Sequence, residues 1–200
     1  MANYTYDLND GSGACSLASY CSGRSIGAGT VVTCVMGEAL GASLGLKAYT
    51  LNASETNVIT GGFFGVVPSG VNQIDAQTIA TKFRVGIASA GSPSLTEIHL
   101  CVLSSACANL RTIGSITGLT TALSGGGEFT NNVTVAAPVA VAPGDVIAML
   151  IVMSNLGCPV VNQNYSFNPV VQTVIAMSNV VAAANNSGGK MLVLGLSGRK

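Results

Sequence analysis

Few side chains in this sequence could do chemistry, and its single histidine is the first of them. His99 lies two residues after Glu97 in TEIHLCVLS, a segment that alternates like a β-strand. Residues two apart on a strand share a face, so these side chains can form a histidine–carboxylate pair. We expect no nucleophile beside it, because we identify no elbow that would present a serine. We therefore interpret the pair as exposed on the polar face of a strand, and we assign no catalytic residue.

The remaining carboxylates are scattered and predict no reaction. A glycosidase needs two facing carboxylates, and a groove that processes sugars usually also stacks them on aromatic rings. Aromatic residues are only 5% of this chain, and tryptophan is absent. Asp7 and Asp10 in DLNDGSG are reminiscent of a calcium loop, but no glutamate follows at the position such a loop needs. The sequence therefore predicts no metal site and no cofactor.

The six cysteines leave two interpretations open. None forms a Cys-x-x-Cys pair, and a chain with one histidine offers little for zinc. They can be reduced and act as small apolar residues. Alternatively, short-range pairs form across turns after release into oxidising surroundings, either Cys15 with Cys21 or Cys101 with Cys107.

Charge and glycine patterns exclude several classes of partner. Charged residues are 8% of the chain and the net charge is zero, so we predict no binding to nucleic acid or to a membrane surface. The glycine-rich stretches lack the lysine and spacing of a nucleotide loop. Lys82 and Arg84 are interpreted as a solvated strand face or a salt bridge between subunits. The densest apolar run, residues 146–153, is far shorter than the roughly 20 residues of a membrane-spanning helix.

Short strands separated by turn signals predict an all-β fold, an antiparallel, jelly-roll-like β-sandwich. Residues 1–29 are rich in Gly, Ser and Ala and are predicted to form an extended N-terminal arm. Residues 30–200 are predicted to form a single sandwich domain. Within it, residues 78–88 and the His99 segment alternate with period two and are expected to pair as a hairpin. A last strand is expected at KMLVLGL, residues 190–196.

The stretch NNVTVAAPVAVAPGDVIAMLIV contains one charged residue, Asp145, in a predicted Ala-Pro-Gly-Asp turn. The strand after this turn is apolar on both faces, so both faces must be covered. The sandwich core covers one face, and a neighbouring subunit or a folded-back arm would cover the other. Methionine adapts to irregular partner surfaces, which favours one set of side chains as the oligomer contact: Ile147, Met149, Ile151 and Met153.

The same region, GLTTALSGGGEFTNNVTVAAPVAVAPGDVIAMLIVMSN, resembles β-sandwich domains of bacteriophage virion proteins. In those domains a Gly/Ser loop is followed by an apolar strand, a Pro/Ala-Gly-Asp turn and a second apolar strand. The resemblance implies a trimeric decoration (cement) protein, a head fibre or a receptor-binding part, and it implies no catalytic residues.

Two functions follow as expectations. The first is a structural virion protein, a homo-oligomer and most simply a trimer, that binds capsid or other virion proteins. The second is a module that binds a host receptor or glycan through loops such as residues 91–94 and 123–132. The first residues, MANYTYDLNDGSGACS, do not have the pattern of a secretory signal. The expected location is therefore the virion, after assembly in the host cytoplasm.

Overall fold

The computed structural model describes residues 2–9, 15, 24–29, 31–37, 46–87, 93–123, 127–155, 161–166 and 172–180. Every regular element in these ranges is a strand. In chain order the strands are β1 (Ala2–Asn9), β2 (Val32–Gly37), β3 (Leu46–Leu51), β4 (Val58–Val66), β5 (Gln73–Ile74), β6 (Gln77–Ile87), β7 (Ser94–Leu103), β8 (Arg111–Ile116), β9 (Thr121–Ala122), β10 (Gly127–Val135), β11 (Val139–Ala140), β12 (Val146–Ser154), β13 (Val161–Ser166) and β14 (Gln172–Ser178).

The strands form two sheets. The larger has the order β11-β5-β14-β1-β2-β4-β12-β7-β8, and β9 pairs with β7. The smaller has the order β10-β6-β13-β3. Among the named strands, β2 and β4 pair in parallel and the other pairs are antiparallel. Apolar side chains from both sheets meet in one buried cluster, so the predicted all-β sandwich is confirmed.

The alternation predicted for β6 is confirmed, but its predicted partner is wrong. Ile79, Phe83 and Val85 are 0–2% exposed and face the core. However, β6 pairs with β10 and β13 in the smaller sheet, whereas β7 pairs with β12, β8 and β9 in the larger one. Alternation shows which side chains are buried and carries no information about the neighbouring strand. The apolar faces of β6 and β7 therefore belong to the same core although the strands lie in different sheets.

The Ala-Pro-Gly-Asp turn forms as predicted. Gly144 has φ of 87°, the left-handed conformation that the third residue of a type II turn requires. The amide of Asp145 donates to the carbonyl of Ala142 at 3.0 Å. The amide of Ala142 donates back to the Asp145 carboxylate at 2.9 Å. The turn thus fixes the point at which β12 enters the sheet.

The predicted arm is in part a strand of the sandwich. β1 pairs with β14 from Ala2 to Asp7 and with β2 from Asp7 to Asn9, so it is an interior strand of the larger sheet. Its residues therefore belong to the sandwich rather than to a separate arm. Cys15 and residues 24–29 are the other described parts of the predicted arm. The predicted last strand, residues 190–196, lies outside the described residues.

The two sheets approach each other closely where β8 meets β10. A Cβ atom added at Gly114 would lie 2.6 Å from the carbonyl oxygen of Thr134, which is backbone and cannot rotate away. We expect Gly114→Ala to lower the free energy of unfolding by about 1 to 3 kcal/mol through overpacking. Urea denaturation measures this change. Ser115→Ala, at the exposed neighbouring position on the same strand, is the matched control and should behave like the parent chain.

Candidate functional site

Strand β12 is buried on both faces within a single chain. Its core side carries the four residues predicted to form the oligomer contact, Ile147, Met149, Ile151 and Met153, and each is 0% exposed. They pack in the cluster between the two sheets. This corrects the sequence interpretation, because side chains without exposed surface are not available to a partner subunit in this fold. Both faces of β12 are apolar, so methionine content alone could not identify the face that meets the smaller sheet.

The opposite face of β12 forms a second apolar cluster on the outer side of the larger sheet. Val146, Ala148, Leu150 and Val152 lie there, beside Ile59 and Phe64 of β4 and Cys101 and Leu103 of β7. Cys15, Ile26 and Val31, from the N-terminal part of the chain, complete the cluster together with Cys107 and Leu110. The second face of β12 is therefore covered by the chain itself. Of the two covers considered from the sequence, this is the folded-back N-terminal segment and not a neighbouring subunit.

We call residues 24–29 the strap, because they are hydrogen-bonded to the edge of β4 and Ile26 packs against this outer cluster. The carbonyl of Ser25 accepts from the amide of Ile59 at 2.9 Å, and the amide of Gly27 donates to the carbonyl of Ile59 at 3.0 Å. Ile26 and Ile59 form an isolated parallel bridge. Through these bonds Ile26 pairs with Ile59 as a residue of an additional parallel strand would.

The end of the strap is held by a carboxylate and by close packing. Glu55 accepts from the amide of Ala28 and from the amide of Asn52, each at 2.6 Å, and so links the strap to the β3–β4 turn. A Cβ atom on Gly29 would lie 2.4 Å from the carbonyl oxygen of Thr50. Glycine is therefore required where the strap passes the edge of β3.

A disulfide bonds Cys15 to Cys107, which are 92 residues apart in sequence and 5.6 Å apart at their Cα atoms. Both short-range pairings considered from the sequence are therefore wrong, since each used one of these residues. Cys101 is also disulfide-bonded. Proximity along the chain was the only available signal, whereas the actual partner depends on how the N-terminal segment folds back over the sheet.

The candidate histidine–carboxylate pair lies on β7, where the side chain of Arg24 from the strap reaches it. Glu97 and His99 are 4% and 3% exposed, so the interpretation as an exposed pair is wrong. The Nε2 atom of His99 is 2.8 Å from Oε2 of Glu97. Arg24, on the strap, donates from Nε to Oε2 at 2.8 Å and from its terminal nitrogen to Oε1. Glu97 is thus held between a histidine on its own strand and an arginine on the strap.

The electrostatics of Glu97 follow from this arrangement. Burial raises the pKa of Glu97, but the hydrogen bonds from Arg24 and His99 and the charges of both residues outweigh burial and hold the pKa below its ordinary value. The carboxylate in turn raises the pKa of Arg24. A bidentate arginine–carboxylate pair of this kind is strong and geometrically specific. Its role here is to attach the strap to β7.

Sequence reasoning missed two features of this region. Arg24 gave no sign of its partner, because the two residues are 73 positions apart. Gly-x-Ser-x-Gly spacing, the pattern of a nucleophile elbow, occurs in GRSIG at residues 23–27 and in GASLG at residues 41–45. Ser25 of the first lies in the extended strap rather than in a strand-to-helix turn, and it is exposed. The second lies outside the described residues.

Other candidate residues do not come together into a site. Among the described residues, no group of three or more His, Cys, Asp or Glu side chains could hold a metal ion. Arg84 lies 3.9 Å from Glu128 of the neighbouring strand β10, a loose ion pair within the chain. One pocket of about 200 Å³ is lined by Ala2, Tyr4, Gly70, Val71, Met177, Ser178 and Asn179.

The described part of the chain contains no helix long and apolar enough to cross a membrane. Its fold is an all-β sandwich, and residues from its own N-terminal part pack on the outer face of the larger sheet. No family model and no curated protein matches the sequence.

Solved structures are similar to parts of this chain at low identity. A CocE/NonD family hydrolase from Staphylococcus aureus has a TM-score of 0.50 and 8% identity, over 72% of this chain and 34% of its own. An α-amino acid ester hydrolase has a TM-score of 0.47 and 10% identity, over 69% and 33%. The VP2 subviral particle of infectious bursal disease virus has a TM-score of 0.32 and 15% identity, over 67% and 33%. This chain spans about a third of each, and the likeness to the first shows a shared fold only.

The burial of both faces of β12 leads to a first prediction for this region. Met149→Ala and Leu150→Ala should each lower the free energy of unfolding by about 2 to 5 kcal/mol, because each leaves a cavity in a buried cluster. Urea denaturation checks both. A Met149→Ala variant as stable as the parent chain would contradict the assignment of this face to the core.

The lowered pKa of Glu97 leads to a second prediction. A group whose pKa is depressed in the folded state adds stability above its ordinary pKa and loses it as the pH falls through the folded value. We expect Glu97→Gln to cost about 1.5 to 3 kcal/mol at pH 6 and to reduce the loss of stability on acidification. Denaturation midpoints between pH 6 and pH 2.5 measure this. Glu128→Gln, at an exposed and loosely paired carboxylate, is the control and should follow the parent chain.

Proposed function

We propose that this chain is a structural protein of a bacteriophage virion, an oligomeric decoration or cement protein that binds a capsid surface. The observation that carries the proposal is the arrangement around Glu97 and His99. The chain's histidine–carboxylate pair is buried and used to hold the strap, so the polar cluster closest to a catalytic constellation serves the architecture.

Composition supports the same proposal. Charged residues are 8% of the chain, and the outer face of β6 and β10 in the smaller sheet carries neutral polar side chains beside Lys82, Arg84 and Glu128. Thr78, Thr130, Asn132 and Thr134 are exposed there. A surface with so little charge suits a subunit that is packed among others. The trimer remains part of the proposal, but its contact has to lie elsewhere than on β12, whose faces are both covered.

The disulfide also fits a particle that leaves the cell. Disulfides persist in oxidising surroundings and are rare in the cytosol. A virion protein made in a cytoplasm and released by lysis meets oxidising conditions only after assembly. The bond between Cys15 and Cys107 would then form, or become permanent, on the released particle.

A hydrolase is the second candidate. It is favoured by the histidine–carboxylate pair, by the Gly-x-Ser-x-Gly spacing at residues 23–27 and by the fold shared with part of the CocE/NonD family hydrolase. The geometry opposes it, because His99 is buried and Ser25 is exposed on the strap. Arg24, adjacent to Ser25, points to the carboxylate, and successive side chains of an extended segment point to opposite sides. We expect no hydrolysis of p-nitrophenyl acetate above that of a Ser25→Ala variant.

Particle association tests the proposed function. Antibodies raised against the purified chain should label particles from its source that band in a density gradient, and mass spectrometry should detect the chain in that band. The purified chain should also bind particles stripped of it. Absence from the banded particles, together with specific binding on a glycan array, would instead support the receptor-binding alternative.

Light scattering tests the oligomer separately. We expect the purified, tag-free chain at micromolar concentration to have the mass of a multimer. The proposed multimer contains three subunits. The Met149→Ala variant should keep this mass while it remains folded, because its side chain lies in the core. A monomer peak that does not change with concentration would contradict the oligomer.

A further inference from the structure

The pocket of about 200 Å³ lies where β1 begins, β14 ends and the loop between β4 and β5 passes, and we call it the β14 pocket. Two of the residues that line it, Val71 and Met177, are 2% and 0% exposed and belong to the core between the sheets. Tyr4, which also lines it, is partly buried and packs against the same cluster. The buried part of the lining is therefore apolar and includes one aromatic ring.

The rest of the lining contains two polar side chains, Ser178 and Asn179, and none of the described lining residues is charged. Hydrogen bonds from Asn72 hold this part of the pocket in place. Its side-chain amide donates to the carbonyl of Val180 at 2.9 Å, and its side-chain carbonyl accepts from the amide of Val180 at 2.8 Å. The backbone amide of Asn72 donates to the carbonyl of Ser178 at 3.1 Å. The β4–β5 loop and the end of β14 are thus bonded to each other on both sides of the pocket.

A buried carboxylate lies one hydrogen bond behind this wall. Asp75 is 7% exposed, and its Oδ1 atom accepts from the side-chain amide of Gln73 at 2.8 Å and from the hydroxyl of Ser178 at 2.7 Å. The bonds from Gln73 and from Ser178 hold the pKa of Asp75 below its ordinary value, so the carboxylate is charged at neutral pH. Because the hydroxyl hydrogen of Ser178 is donated to Asp75, the oxygen of Ser178 can only accept a further hydrogen bond.

The second oxygen of Asp75 has no partner among the described residues. Its Oδ2 atom is buried and accepts no hydrogen bond from them, and none of their ion pairs includes Asp75. A buried charge is costly unless it is paired and hydrogen-bonded, and buried polar atoms in native folds almost always have a partner. The missing partner is a hydrogen-bond donor, and a positively charged donor would bind most strongly.

We propose that the β14 pocket binds the ammonium group of a small organic amine. Asp75 supplies the negative charge, Ser178 supplies an acceptor next to it, and the ring of Tyr4 supplies an aromatic surface that attracts a cation. Val71 and Met177 provide apolar surface for a short alkyl chain. The volume is below the roughly 300 Å³ at which pockets for drug-sized ligands begin, so the ligand has few carbon atoms. This inference goes beyond the proposed virion role and does not depend on it.

Titration of the isotope-labelled full chain with n-butylammonium chloride, followed by NMR, tests the proposal. The backbone amides of Val71 and Ser178 are the reporters, because both residues line the pocket. We expect saturable shifts with a dissociation constant of about 1 to 10 mM, since a ligand of so few atoms binds weakly. Sodium chloride at the same ionic strength should not produce these shifts. n-Butanol has a similar size and no charge, and it should bind at least about tenfold more weakly.

Three variants separate the contributions to the site. Asp75→Asn removes the charge and keeps the shape, so it should weaken n-butylammonium binding at least about tenfold and leave n-butanol binding unchanged. Ser178→Ala removes the link to Asp75, and Tyr4→Leu removes the aromatic ring but keeps an apolar side chain. Each should weaken n-butylammonium binding, and together they carry the test if Asp75→Asn does not fold. Val174→Ala, at an exposed position of the same strand outside the pocket, is the matched control and should bind like the parent chain.

The ammonium group has two possible sources, a free amine and a lysine side chain of another protein. n-Butylammonium has the charge and chain length of a lysine side chain and represents both. Nα-acetyl-lysine N-methylamide distinguishes them, because it adds the peptide backbone. Binding as tight as that of n-butylammonium indicates a lysine of a partner, and loss of binding indicates a free amine. Either result keeps the ammonium site and identifies its source.

Two results would overturn the proposal. The first is the absence of saturable shifts at Val71 and Ser178 up to about 100 mM n-butylammonium, roughly ten times the weakest expected dissociation constant. The second is equal binding of n-butanol and n-butylammonium, which would show an apolar pocket without recognition of charge. Neither result bears on particle association, so the ammonium site and the virion role can fail independently.

Discussion

The apolar outer face of the larger sheet is the constraint on which the rest of this structure depends. A two-layer sandwich buries one face of each sheet, and β12 carries large apolar side chains on both. Leaving the second face in water would forfeit the free energy of burying several aliphatic side chains, at roughly 25 cal/mol per Å² of apolar surface. The chain resolves this with its own residues, because Cys15, Ile26 and Val31 from its N-terminal part pack against this face.

The cover determines the chemistry of the region. Glu97 is only 4% exposed, and a buried carboxylate requires charged or hydrogen-bonding partners. Arg24 and His99 supply them. On an open strand, Glu97 and His99 would be accessible to a substrate. Here the pair binds Arg24 and holds two parts of the chain together. The ion pair of Arg24 with Glu97 and the disulfide of Cys15 with Cys107 each join the N-terminal part of the chain to the strands that follow.

The alternation in residues 78–88, the turn at Gly144 and the doubly apolar run of β12 were all readable in the sequence, because each depends on side chains close together along the chain. Charge content, on the same basis, predicts that nucleic acid and membrane surfaces are not partners, and this stays a prediction. The need to cover the second face of β12 was also evident, and a folded-back N-terminal segment was one of two covers considered.

The choice between those covers was decided only by the tertiary structure, as were the partner of Cys15, the burial of His99 and the sheet to which β6 belongs. Each of these depends on residues that are far apart in sequence, 92 positions for the disulfide and 73 for the ion pair. Local patterns determine which side chains must leave water, since burial depends on the polarity and spacing of neighbouring residues. The path of the whole chain decides which surface these side chains pack against, because the chain has several apolar surfaces of similar composition.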